Sequence, residues 1–333
     1  MKMNLSSKDE ILSSARIDPE FEEYLTRNAT ISLQSLERAA ISPDEGELIE
    51  IAMRDGYRSQ IIVHKPTAAC DKTPGPAIVL LYGGGFTAGD NTQLNRYARA
   101  INKLFGVTAI NISYRLAPAN TFPIAPNDAW DSLKWIAANQ KPLNIDLDAG
   151  FVIGGVSAGA NLSAVCSQKW LSEDCSPPIT GTLLLIPLLL REEIVPKEYK
   201  HLWLADAQNA QAPFFNGANV AKAIDAYEPD LNSPDFSPFN ANGAHVGLPR
   251  TYISVCGLDP LRDDGLIYYQ VLRECGVETR LDIYPGVPHG HFRIPQLKSA
   301  QKFFRDFLDA VGWTLMDERA PAEVDEAISS LSF

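Results

Sequence analysis

The chain lacks a positive charge excess, a membrane-length apolar run, a paired cysteine motif and any internal repeat. Each absence removes a class of function. With 29 Lys+Arg against 41 Asp+Glu the net charge is −12, so there is no basic face of the kind that neutralises phosphates, and a nucleic-acid partner is not expected. The densest apolar run, Leu183 to Leu190, is interrupted by Pro187 and is far too short to span a bilayer. The five cysteines, Cys70, Cys166, Cys175, Cys256 and Cys275, are odd in number and form no CxxC pair, which speaks against a disulfide framework and a structural zinc site. They read instead as reduced, mostly buried thiols. The first 25 residues alternate acids with apolar positions and offer no signal-peptide core, and the last residues, AISSLSF, match no anchor or retention signal. The expected location is therefore the cytoplasm.

What is present is an ordinary globular composition, 45% hydrophobic and 21% charged over 333 residues, enough for one large domain or two small ones. The first ~45 residues show apolar positions at helical spacing, Ile11, Phe21, Leu25, Leu33 and Leu36, until Pro43 and Gly46 break the pattern. Thereafter strand-like and helix-like segments alternate. Glu47–Met53 and Ser59–Val63 flank the turn pair Asp55-Gly56 and read as a hairpin. Ala77–Tyr82, Thr108–Tyr114, Phe151–Gly154, Thr180–Ile186, Thr251–Cys256 and Arg280–Tyr284 read as strands. Thr92–Leu104, Ala125–Ala138, Ala158–Leu171, Gly265–Cys275 and Gln296–Val311 read as helices.

Apolar strands alternating with helices predict an α/β fold: a mostly parallel central sheet with helices on both faces. Residues 191–247 interrupt the alternation. This stretch holds Trp203, Phe214, Phe215, Tyr227, Phe236 and Phe239, and so many aromatics need somewhere to pack. We read it as a cap insertion lying over the sheet together with residues 1–45, in preference to a long surface excursion. The core is then 46–190 and 248–313, and 314–333 form a C-terminal tail.

Three segments bear on chemistry. Gly155-x-Ser157-x-Gly159 follows a predicted strand and precedes a predicted helix, the context a nucleophile elbow requires. Such a turn is sharp enough that only glycine fits two residues before and after the serine, and it sets the hydroxyl at a helix N-terminus, where developing negative charge is favoured. The plainer alternative is a helix N-cap serine. Gly83-Gly84-Gly85 also follows a strand, so its N–H groups can converge on one oxyanion without side chains intervening. A serine needs a base, and the base needs an orienting acid. Of the histidines His64, His201, His245, His289 and His291, His289 falls just past the last strand, where the chain order Ser, Asp, His places the base. His291 is its neighbouring rival. The two could suggest a metal site, but no third ligand stands at suitable spacing. Asp259 lies in the loop after strand Thr251–Cys256 and suits the acid. Asp263 and Asp264 read as first-turn helix acids, and Asp282 lies within a strand.

Together these blocks resemble the hormone-sensitive-lipase-like family of α/β-hydrolases, which includes many microbial carboxylesterases. Tyr114-Arg115-Leu116-Ala117-Pro118 is similar to the family's YRLAP segment, Asp259 to Gly265 to its DPLRDEG loop, and Tyr284 to Gly290 to its YPGMPHGF block. The resemblance covers about residues 75–312. It implies an α/β-hydrolase fold, Ser157, Asp259 and His289 as a catalytic triad, and the N–H groups of Gly84, Gly85 and Ala158 as an oxyanion hole. It further implies a small-molecule ester substrate, short-acyl or compact, and no metal or organic cofactor. The sequence departs from the family at Tyr82, where a histidine usually precedes the glycines, at Val156, usually Asp, and at Ala160, usually Gly. Tyr82 is expected to brace the oxyanion loop through its hydroxyl. The same residues would suit a natural-product-tailoring enzyme (an amide hydrolase, cyclase or lyase). A receptor-like binding protein is the remaining alternative, and its plant examples lack the triad histidine. Oligomeric state is not legible, and a homodimer stays open.

Overall fold

A computed structural model describes residues 7–28, 46–66, 74–241 and 245–329. The positions Leu33, Leu36 and Cys70 fall outside these residues. Eight strands form one sheet: β1 Glu47–Ala52, β2 Arg58–His64, β3 Ala77–Leu81, β4 Thr108–Ile112, β5 Phe151–Val156, β6 Gly181–Leu185, β7 Arg250–Leu258 and β8 Thr279–Pro288. Their spatial order is β1-β2-β4-β3-β5-β6-β7-β8. Only β2 runs against its neighbours, as the Asp55-Gly56 hairpin dictates; the other pairings are parallel.

The parallel strands are buried on both faces, so their residues are apolar without a break. Along β3, Ile78 and Leu80 pack with Ile101 and Phe105 of the helix Asn95–Phe105 and with Phe303, Phe307 and Val311 of the helix Lys298–Leu315. Ala77, Val79 and Leu81 point the other way, toward Trp130 and Leu133 of the helix Ile124–Ala138 and Leu162 and Trp170 of the helix Ala158–Ser172. This is the period-two alternation of a strand between two helical layers. The helix Pro321–Ser329 buries Val324 in the same layer as the helices Asn95–Phe105 and Lys298–Leu315. Among the described residues, no helix is long and apolar enough to cross a membrane.

The described residues of the stretch 191–247 form short turns and the α-helices Ala205–Gln208 and Gly217–Tyr227, and aromatics there find partners on the core. Tyr227 stacks on Phe86 at 3.9 Å, Phe236 is fully buried, and Phe239 meets Tyr268 edge-on. Asp263 and Asp264 lie in the first turn of their helix, as the sequence reading has them. The helix that they open starts at Arg262 rather than Gly265, and both side chains are buried. Asp263 accepts the N–H of Ala205 at 2.6 Å; Asp264 accepts those of Leu189 and Leu190 at 2.8 and 2.9 Å. Burial pushes the Asp264 carboxyl up to about 7, against the pull of those two donors. Asp263 thus fastens the insertion, and Asp264 the residues that lead into it.

The N-terminal helices, Lys8–Ser13 and Pro19–Arg27, also grip the core. The Gly286 N–H donates to Ser14 O at 2.8 Å and the Asp18 N–H to Gly286 O at 2.9 Å. Gly286 adopts φ +69°, and a Cβ there would lie 2.3 Å from Arg16 O, so only glycine permits this clasp.

Candidate active site

Strand register brings the sequence motifs together before any side chain is considered. β3 pairs in parallel with β5, Leu81 opposite Gly155, so the residues that follow them, Gly83–Gly85 and Ser157, leave the same edge side by side. β3 is where the strand order reverses, the switch point at which open α/β sheets bind ligands. β7 pairs with β8, and beyond an irregularity at Cys256 the partners are Leu258 and Pro288. The next residues are Asp259 and His289. The sequence places His289 in a turn-rich loop, whereas β8 continues to Pro288 and presents it directly. Pro285 and Pro288 are tolerated because β8 is the sheet's edge strand.

Ser157 has φ +56° and ψ −115°, a conformation costing roughly 1–3 kcal/mol for a non-glycine residue. Its surroundings enforce it. A Cβ on Gly155 would lie 2.4 Å from the Gly159 carbonyl, and one on Gly159 would lie 2.2 Å from Leu81 O and 2.3 Å from Tyr82 O. The serine has no side-chain capping bond to its helix; it turns to His289 instead.

Ser157 Oγ lies 3.1 Å from His289 Nε2, and His289 Nδ1 lies 2.7 Å from Asp259 Oδ2. The other oxygen, Asp259 Oδ1, accepts the Leu261 N–H at 2.8 Å. Asp259 is fully buried, Ser157 is 4% exposed and His289 7%. Phe215 of the insertion stacks on the imidazole at 4.3 Å. His291 is placed elsewhere: it is fully buried beside Cys256 and Ser299 O, and burial pulls its pKa down to about 3. It touches neither Ser157 nor Asp259.

The glycine loop is held at three points. The Tyr114 hydroxyl donates to Tyr82 O at 2.8 Å, Gln93 Oε1 accepts the Gly83 N–H at 2.8 Å, and the Ala117 N–H donates to Phe86 O at 2.9 Å. Among the described residues, the N–H groups of Gly84, Gly85 and Ala158 have no acceptor. Gly84 and Gly85 line a cavity of about 530 Å³ with Ser157 and His289. The part of the YRLAP segment was missed in the sequence reading: Tyr114 and Ala117 are supports of this loop. Tyr82 does form the expected buried bond, but to Tyr114 O at 2.8 Å rather than within the loop. The two rings stack at 4.2 Å and exchange hydroxyl-to-carbonyl bonds.

Tyr114→Phe therefore strips the donor from the carbonyl next to the glycines, and leaving one buried partner open costs about 1–3 kcal/mol. If the loop shifts by that measure, kcat on p-nitrophenyl butyrate falls about tenfold or more. Tyr82→Phe should lower the melting temperature with the smaller effect on kcat. Equal kcat in both variants and wild type would reduce the pair to packing.

A sequence profile of the alpha/beta hydrolase fold matches residues 78–293. The chain is 35% identical over 212 residues to an AB hydrolase superfamily protein of Schizosaccharomyces pombe, covering 63% of this chain and 62% of that one. It is 30% identical over 265 residues to the esterase LipI of Mycobacterium tuberculosis, covering 78% and 79%. Among solved structures, a vibralactone cyclase superposes with a TM-score of 0.81 at 29% identity, covering 95% of this chain and 99% of the other. Profile, relatives and strand order agree, and the chain belongs to the alpha/beta hydrolase fold family, in its hormone-sensitive-lipase-like, carboxylesterase-related branch.

Proposed function

We propose that this carboxylic ester hydrolase cleaves short-acyl or compact esters through a covalent acyl-enzyme. The observation that supports it most is the unbroken chain from Ser157 Oγ through both ring nitrogens of His289 to Asp259. His289 Nε2 takes the serine proton as Oγ attacks the ester carbonyl. Asp259 holds the ring with its proton on Nδ1 and stabilises the imidazolium. The carbonyl oxygen becomes negative, and the N–H groups of Gly84, Gly85 and Ala158 receive it. The alcohol leaves with the proton from His289. Water then attacks the acyl-enzyme with His289 again as base, and the acid departs. The reaction calls on no metal or organic cofactor.

The bounded cavity sets the size of substrate. The cavity of about 530 Å³, lined by Phe214 and Phe215 beside Ser157 and His289, suits a compact ester. The p-nitrophenyl acetate and butyrate should be cleaved faster than the palmitate. Failure to cleave any of the three would defeat the hydrolase reading; preference for palmitate would defeat the size argument.

The likeness to a cyclase supports a second reading. The same acyl-enzyme can pass its acyl group to a hydroxyl on the acyl chain itself, releasing Ser157 and a lactone in place of the free acid. A hydroxy-acyl ester whose product is lactone rather than acid would favour it.

A further inference from the structure

The cavity beside Ser157 carries charge of the opposite sign to the chain. The protein is −12 overall, yet among the described residues the cavity wall holds Lys222 and Arg293 and no aspartate or glutamate. The two cations come from different walls. Arg293 belongs to the short turn after His289. Lys222 lies on the helix Gly217–Tyr227, whose cavity-lining positions are Asn219, Lys222, Ala223 and Ala226. That spacing is one helix face; Ala223 is buried, while Asn219 and Lys222 are exposed and line the cavity from its solvent side. Among the described residues Lys222 has no carboxylate partner. Asn219 uses its oxygen to accept the Asn216 N–H at 2.9 Å, which leaves its amide N–H groups as the part available to a ligand. An ammonium, a guanidinium and an amide NH₂ are all donors. An ester with no charge has no use for such a set, and the net charge of the chain alone would disfavour an anion.

We propose that Lys222, Arg293 and Asn219 bind a carboxylate carried by the substrate, so that the preferred substrates are half-esters of dicarboxylic acids. This rests on the hydrolase reading of Ser157 and names the substrate class of that same site. Arginine grips a carboxylate with two parallel N–H donors, Lys222 adds a point charge, and together they fix which end of the ester faces Ser157.

The test compares ethyl hydrogen glutarate with ethyl glutaramate, an uncharged ester of the same shape, by acid release at low ionic strength. The wild type should favour the acid ester in kcat/KM by about tenfold or more, the scale of a hydrogen bond to a charged group. The difference should lie in KM and shrink with added salt. In the double variant Lys222→Met, Arg293→Met the ratio of the two substrates should fall to near one. Lys222→Glu should turn the preference toward the amide. A wild-type ratio near one, or a ratio that survives the double variant, overturns the proposal. Ser157→Ala protein titrated calorimetrically with both esters gives a reading that needs no turnover. Selective binding of the acid ester there supports the carboxylate site even if hydrolysis fails, and equal binding overturns it while leaving p-nitrophenyl butyrate turnover to judge the hydrolase reading.

Discussion

Replacing Ser157 with alanine should lower turnover of p-nitrophenyl butyrate by roughly 10⁴–10⁶-fold, the scale seen when a triad nucleophile is deleted. The same change should abolish labelling by a fluorophosphonate. In the wild type the phosphorus bonds to Oγ, fluoride leaves, and His289 at 3.1 Å accepts the proton. The phosphoryl oxygen takes the place of the ester's oxyanion before the N–H groups of Gly84, Gly85 and Ala158. Intact-mass analysis should give one adduct per chain, mapped to Ser157. A helix-capping serine lacks both aids, so an unlabelled wild type would return Ser157 to that ordinary role. The alanine itself should fold normally, because the φ of +56° at this position is enforced by neighbours that do not touch Oγ.

Asp259→Asn should cut turnover by up to roughly 10⁴-fold with the fold intact. The two carboxylate oxygens have different tasks. Oδ1 accepts the Leu261 N–H and Oδ2 faces His289 Nδ1. In asparagine the oxygen stays with the N–H and the amide NH₂ turns to the imidazole. Nδ1 must then accept, its proton moves to Nε2, and Nε2 can no longer take the serine proton. Circular dichroism and melting temperature should stay close to wild type while kcat collapses. A rate within tenfold of wild type would mean that Asp259 does not set the tautomer. His291→Ala, by contrast, should cost activity far less than His289→Ala, since His291 lies beside Cys256 and touches neither partner.

The strands and the elbow were legible because their signals are local. Uninterrupted apolar runs, the glycines at 155 and 159 and the Asp55-Gly56 turn each act within a few residues. What was not legible depends on distant partners. The first-turn placement of Asp263 and Asp264 was legible, but nothing near them reveals that they are buried and accept N–H groups from residues 189–205. Pro285 and Gly286 looked like loop residues, and only the edge position of β8 and the docked N-terminal segment explain why the strand continues through them. The motif 114–118 could be matched to a family, but its task needed the Tyr82–Tyr114 clasp.

The turn from Asp259 to Asp264 serves two masters. Its first residue faces His289, Asp263 holds the insertion at Ala205, and Asp264 holds Leu189 and Leu190 where the chain enters it. Asn209, from within that insertion, reaches back to the carbonyls of Gly257 and Asp259 at 3.0 and 2.9 Å. The insertion is therefore not a cassette. A chimera that grafts residues 191–247 from a relative with different selectivity would also have to transplant this turn, or the foreign segment would arrive without its anchors and the acid without its support. Inheritance faces the same constraint: selectivity in this lineage should drift through single side chains pointing into the cavity, while the backbone that spans it is passed on whole.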